Sequence, residues 1–365
     1  MDSRLPKSTK VLILQKSSPE RKPIYHDVIL EERPIPALKE GQILVKVNAA
    51  GLNHREIWQR KGQYPDTTLG SVMGADGAGT VVASTQPNDD ILGKRVFLNP
   101  TRGWDSHPDA PESRFSIIGG GSVIPIGTLT QYVVVEREHV IPTPEHLDDE
   151  HAAAWPVGGV TAWRAAVVNA RVQKGDNVLI TGVGGGVAVL AMQICLAHGA
   201  NVYVTSGSEE KIAKAIALGA KAGVNYKTEG WHIQLEQVLK KSSPKNPLLS
   251  AIIDSAGGDI TTRANKMLKQ GGRIVVYGMT ASPLVPFTMR EVLKNQQLIG
   301  STMGSCSDLR AATQFIADHS IVPLVSHIVD GLEKAEDAFE LLHRGEQFGK
   351  IVISIDGKPM RRSVL

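Results

Sequence analysis

The hydrophobic positions of this chain change rhythm near residue 157. Before that point, apolar residues gather in short β-branched runs: "KVLILQ", "GQILVKVNAAGLN", "GAGTVVAS", "GKRVFLN" and "TQYVVVE". Gly and Pro separate the runs, so this half reads as a set of strands and turns. Beyond residue 157 the pattern alternates. "DNVLITG", "NVYVTSG", "AGVNYK", "LSAIIDSAGG" and "RIVVYGM" have strand character, and between them lie "VAVLAMQICLAHG", "SEEKIAKAIALGA", "WHIQLEQVLKKS" and "DITTRANKMLKQGG", where apolar residues recur at helical spacing. Parallel strands need crossover connections of about a dozen residues. The alternation therefore predicts an α/β fold with a doubly wound parallel sheet. Further helices and a closing strand follow, from "DLRAATQFIADH" to "FGKIVISI".

The totals narrow the picture. A chain of 365 residues accommodates two domains. A hydrophobic share of 42% and a charged share of 21% suit a globular enzyme. A net charge of +3 without a basic run gives no case for nucleic acid. Cys195 and Cys306 are the only cysteines, too few for a disulfide scaffold or a Cys-rich zinc lobe, and consistent with a reducing compartment. "VLIL" behind a polar leader is too short for a secretion signal, and no run approaches the roughly 20 apolar residues of a membrane span. The expectation is a cytoplasmic protein.

One stretch carries candidate chemistry. "VLITGVGGGVAVLAMQ" reads as a strand, a glycine turn and a helix. Gly182, Gly184, Gly185 and Gly186 leave little side chain between a ligand and the backbone, and the N–H groups around Val187 open the helix. A helix N-terminus of this kind suits a pyrophosphate, and Ala188 is small enough for close helix–sheet packing. A tight turn without a ligand is the plain alternative. The second strand ends at Ser206, where an NAD site carries an acid for the ribose hydroxyls. Ser206, Ser208 and Lys211 suit a 2′-phosphate instead and favour NADP(H). The competing readings are a helix cap for Ser206 and a solvated charge for Lys211.

On these motifs the chain resembles the medium-chain dehydrogenase/reductase superfamily, in its zinc-free, quinone-oxidoreductase-like branch. The resemblance rests on "GLNHREIWQRKGQYP", "MGADGAGTVV", "AAAWPVGGVTAWRAA", "GVGGGVA", "DSAGGD", "LKQGGRIVVYGM", "LIGSTMG" and "FGKIVISI", and spans nearly the whole length. It implies a GroES-like β-rich catalytic domain over residues 1–156, completed by 309–365, and a Rossmann cofactor domain over 157–308. A homodimer is the family expectation. The glycine turn is similar to that branch's A-x-x-G-G-V-G, one residue longer than G-x-G-x-x-G.

The resemblance also bears on metal and mechanism. Zinc members carry Cys where this chain has Asn53, and His-Glu where it has Ala75-Asp76, while the long segment 99–126 lacks the four cysteines of a structural zinc lobe. No metal is expected. His54 and His107 are the remaining candidate ligands, with exposed or core-satisfied roles as the simpler reading. Without a Lewis acid, simple alcohol oxidation is disfavoured. Hydride delivery to a quinone, enone or enal needs only placement and donors for the developing oxyanion. The matching positions imply that Asn53 bonds near the nicotinamide or acceptor, Tyr64 contacts the acceptor and Thr161 contacts the nicotinamide. Tyr226 would line the adenosine-phosphate side and Gly278 border the nicotinamide. Trp104 and Phe115 either shape an acceptor pocket or simply pack the long loop. A zinc-independent alcohol dehydrogenase or ketone reductase, and a non-catalytic NADPH-binding protein, are the competing functions.

Overall fold

All four residues of Asn177–Ile180 are buried, and this strand lies at the heart of a six-stranded parallel sheet. Across the sheet the order is Ala222–Asn225, Asn201–Ser206, Asn177–Ile180, Leu249–Asp254, Leu268–Val276 and Gln297–Gly300. Every pairing is parallel. This is the doubly wound order, in which the chain reverses direction across the sheet between its first and fourth strands. The helices Gly186–Ala197, Glu209–Ala217 and Trp231–Ser242 make the crossovers. Leu235 and Leu239 are buried against Tyr203, Leu249 and Ile252. Each such leucine contributes roughly 1.5–3 kcal/mol through burial.

One expected helix is shorter than its pattern. Within "DITTRANKMLKQGG" the helix covers only Ile260–Ala264, and Leu268 already begins the next strand. Lys294 Nζ takes the Asn265 carbonyl at 2.6 Å, and Met267 O accepts Leu249 N–H at 2.8 Å. Acceptors that a longer helix would use are thus drawn to tertiary partners.

The structure, a computed structural model, describes residues 5–355. Residues 356–365, at the end of the predicted 309–365 segment, and the first residues of the polar leader lie outside the described residues. The chain divides into two compact units, one up to Gly158 and from Ser305 onward, the other Gly159–Gly304. The sheet just described belongs to the second.

The first unit is built on a seven-stranded sheet. Its path runs Val325–Asp330, Lys350–Ser354, Gln42–Gly51, Asp76–Ser84, Arg95–Leu98 and Val140–Pro142, with Tyr132–Glu136 also paired to Gln42–Gly51. Register decides what meets at one end: Gly51 lies opposite both Val352 and Asp76. A Cβ at Gly51 would come within 2.3 Å of the Ala153 carbonyl, so only glycine fits this crossing. Asp27–Pro34, which the sequence pattern did not mark, pairs with Ser8–Gln15; Leu30, Glu32 and Pro34 alternate toward solvent. Among the described residues, no helix is long and apolar enough to cross a membrane.

Candidate active site and cofactor cradle

In the first unit, Asn53 follows the strand Gln42–Gly51 and opens the helix His54–Arg60. Glu56 accepts the Asn53 backbone N–H at 2.7 Å, half of a capping box. The Asn53 carboxamide is turned elsewhere. Its Nδ2 donates to Asp76 Oδ2 at 2.9 Å, and its Oδ1 accepts from Lys350 Nζ at 2.6 Å. Lys350 also donates to Asp76 Oδ2 at 2.9 Å, while Asp76 Oδ1 accepts the Val157 N–H at 2.7 Å. All three side chains are buried.

A second charged pair lies on the same helix. Arg55 donates to Glu56 at 3.0 Å and to the carbonyls of Ile118 and Gly119 at 3.1 and 2.8 Å. Its guanidinium stands over the Tyr64 ring, 5.0 Å from the centroid. Burial raises the Glu56 pKa, opposed by the Arg55 charge and the Asn53 N–H. The structure thus links Asn53 and Tyr64 through Glu56 and Arg55.

The long loop is held from within and by the Cys306 and Ser307 N–H groups, which donate to the Trp104 and Asp105 carbonyls at 2.9 Å. Thr101–Arg102 pairs with Ser116–Ile117, and Trp104 meets Phe115 edge-on with centroids 5.9 Å apart. Glu112 accepts the backbone N–H groups of Asp105, Ser106 and His107 at 2.7, 2.7 and 2.5 Å. These bonds, led by Ser106, lower its pKa to about 2. The loop aromatics pack on each other. His107 Nδ1 accepts local backbone N–H groups, and burial, then Lys61 and His343, lower the pKa of His54.

In the second unit, Val183 N–H bonds the Thr205 carbonyl at 2.8 Å, holding the glycine turn against the next strand. Gly182 and Gly184 have φ of 65° and 131°, values that disfavour side chains. Gly185, whose missing Cβ would meet nothing within 4 Å, is the N-cap of Gly186–Ala197 and offers no side-chain cap. The first N–H groups of that helix, including those of Gly186 and Val187, have no intrahelical acceptor. A Cβ on Gly184 would lie 2.7 Å from Lys211 Cδ, so the lysine stem crosses the turn. A Cβ on Gly207 would meet the Tyr226 hydroxyl at 2.7 Å and Lys227 Cε at 2.8 Å. This open, cation-edged cradle fits a phosphorylated dinucleotide.

The two serines have local duties. Ser206 Oγ donates to the Val183 carbonyl at 3.0 Å and is buried, whereas Ser208 caps the following helix by accepting Lys211 N–H. Thr161, on Pro156–Trp163, is buried with its hydroxyl 3.7 Å from Met303 Sδ. A Cβ on Gly278 would come within 2.8 Å of the Ser255 carbonyl, marking the close approach of two strand ends.

Four contributors went unmarked in the sequence: Lys350, Arg55, Lys227 and Asp254. The signal for Lys350 is a lysine heading the apolar run "GKIVISI", since a buried lysine demands a partner. Lys227 stood beside Tyr226 in "VNYK". Asp254 ends the fourth strand and accepts from the Thr181 hydroxyl at 2.6 Å and Gly257 N–H at 2.6 Å. Burial raises its pKa against those bonds.

Two family models match this chain: the alcohol dehydrogenase GroES-like domain over residues 39–145 and the zinc-binding dehydrogenase model over 186–318. The zinc-type alcohol dehydrogenase-like protein YogA of Leptosphaeria maculans is 42% identical, covering 91% of this chain and 96% of the relative. A zinc-type alcohol dehydrogenase-like protein of Schizosaccharomyces pombe is 31% identical, covering 89% and 94%. Among solved structures, an NAD-dependent alcohol dehydrogenase is 30% identical with a TM-score of 0.81, covering 95% of this chain and 99% of that one.

The residues at the catalytic ligand positions do not fit the zinc that one family name implies. A carboxamide stands in the thiolate position, Ala75 offers a methyl group, and Asp76 is bonded to an ammonium. A divalent ion needs several N, S or O donors and no adjacent cation. Among the described residues, no group of three metal-capable side chains gathers. The chain belongs to the medium-chain dehydrogenase/reductase superfamily, among its zinc-type alcohol dehydrogenase-like members, and is an oxidoreductase that works with a nicotinamide cofactor.

Proposed function

We propose that this protein uses NADPH to reduce quinones or α,β-unsaturated carbonyl compounds without a metal. The observation that carries the reading is the Asn53–Asp76–Lys350 network, which supplies a fixed amide donor where a Lewis acid would be needed for simple alcohols. Bound NADPH supplies the hydride. N–H groups at Gly186 and Val187, on the turn built by Gly182, Gly184 and Gly185, hold the pyrophosphate. Lys211, Lys227 and the Tyr226 hydroxyl take the 2′-phosphate, while Ser206 and Ser208 keep the turn and helix in place. Thr161 and Gly278 border the nicotinamide. Asn53 donates to the oxyanion that develops on the acceptor, Tyr64 borders the acceptor ring, and water returns the final proton.

The deciding experiment follows the nicotinamide absorbance with NADPH or NADH against quinones, enals, enones, saturated ketones and alcohols. Turnover of quinones or enones with NADPH preferred supports the reading. The name of the NAD-dependent alcohol dehydrogenase relative favours a second reading, alcohol oxidation, and sustained NADP⁺ reduction by simple alcohols would establish it instead. Tight NADPH binding with no turnover of any acceptor would make this a binding protein. One tightly held zinc per chain would end the metal-free reading. We place the protein in the cytoplasm: both cysteines are free, and burial pushes the Cys195 thiol up to about 12, far from reactive.

A further inference from the structure

We infer that Lys350 is a positioning residue for Asn53, its ammonium replacing a metal as the cation that organises this buried corner. The inference rests on the proposed role of Asn53 as the donor to the acceptor. A carboxamide has two ends that exchange by a flip of the terminal torsion, and only an asymmetric environment selects one. Here the asymmetry is charged. Oδ1 accepts from an ammonium at 2.6 Å and Nδ2 donates to a carboxylate at 2.9 Å. A flip would press the NH2 group against the ammonium and the oxygen against the carboxylate.

Lys350 acts on Asn53 in a second way. Nδ2 carries two hydrogens, and Asp76 takes one of them. The second hydrogen is left with a direction set by the first. The ammonium on Oδ1 withdraws charge through the amide and strengthens that remaining donor, as hydrogen bonds in series polarise each other. Asp76 cannot supply this alone, because a buried carboxylate without its cation would be strongly destabilised. Charge balance is also local: Lys350 pairs with Asp76, and Arg55 with Glu56.

The arrangement is assembled by register. Lys350 begins a strand whose Val352 lies opposite Gly51, and Asp76 lies opposite the same glycine from the other side. The three residues are far apart in the chain, and the sheet brings their side chains to one point.

The test uses the full-length protein labelled with ¹⁵N-asparagine, with the Asn53 side-chain signals assigned through Asn53→Ala. In the wild type, the two Asn53 amide protons give separate, slowly exchanging signals. In Lys350→Met they broaden or exchange at least about tenfold faster, the equivalent of ~1.4 kcal/mol. Lys350→Arg restores them in part. Lys350→Met combined with Asp76→Asn removes both charges, and this pair keeps the test available if the single variant does not fold. In the neutral pair the two signals again lose their protection. If the wild type turns over an acceptor, kcat falls about tenfold in Lys350→Met with the KM for NADPH unchanged, as expected for one lost hydrogen bond. The same change in an Asn53→Ala background costs nothing further.

Unchanged Asn53 signals and exchange in a folded Lys350→Met variant, or in the folded neutral pair, would overturn the inference. So would kinetic losses from Lys350→Met and Asn53→Ala that simply multiply. Failure to reduce any acceptor would end the proposed function while the amide signals still decide the role of Lys350.

Discussion

Lys211 and Lys227 offer the sharpest test of cofactor choice, because their side chains differ in setting. Lys211 is half-buried and crosses Gly184, while Lys227 is exposed with its stem against Gly207. A charged hydrogen bond contributes ~1.5–3 kcal/mol, and solvent screening places an exposed lysine at or below the lower end. At ~1.4 kcal/mol per tenfold change, Lys211→Ala should lower kcat/KM for NADPH about 10- to 100-fold, and Lys227→Ala no more than about tenfold. NADH lacks the 2′-phosphate, so its kcat/KM should move less than about threefold in either variant. The assay compares both cofactors with one acceptor, alongside direct binding at two ionic strengths, where the Lys227 contribution should shrink in salt. Equal losses for NADPH and NADH would show that these lysines serve the shared pyrophosphate. No loss for either cofactor would remove them from the site.

Other consequences are simpler to check. Asp254→Ala leaves the Thr181 hydroxyl and the Gly257 N–H without their acceptor, so denaturant unfolding should show a loss of about 2–4 kcal/mol. The Glu112 carboxylate has a folded pKa of about 2, below its ordinary value of 4.5. Its contribution to loop order is therefore complete above that ordinary value and disappears as pH falls toward 2, which limited proteolysis of the 99–126 loop should report. Glu112→Ala should expose the same loop at neutral pH. We also expect a homodimer: Leu284, Met289 and Leu293 are exposed at 73%, 64% and 79%, in the segment that leads into the outermost strand Gln297–Gly300. Light scattering should then find Leu293→Asp monomeric and the wild type dimeric; a monomeric wild type would refute this.

The limits of the sequence pattern show in particular residues. Parallel strands such as "NVLI" announce themselves because burial on both faces demands an unbroken apolar run. Asp27–Pro34 imitates a loop because none of its residues is buried and Leu30, Glu32 and Pro34 meet water. Periodicity carries the helix after Gly258 too far, because it cannot reveal that Lys294 captures the Asn265 carbonyl. The sequence pattern puts Ser206 at the end of the second strand and Ser208 just beyond it. Only geometry shows that one hydroxyl holds Val183 and the other caps a helix.

The family resemblance marks Asn53 and Ala75 as lacking zinc-type donors, whereas by itself the sequence determined the strand-and-helix alternation beyond residue 157, the glycine turn and the missing acid after the second strand. These depend on residue types within a few positions of one another, which local propensity and spacing capture. Tertiary structure alone decided that Lys350 meets Asn53 and Asp76, that Lys227 joins Lys211 around the cradle, and that Glu112 ties the long loop. Such contacts follow from strand register and loop closure across distant segments. A one-residue slip in register would turn every side chain of a strand to the other face, so no local pattern contains them.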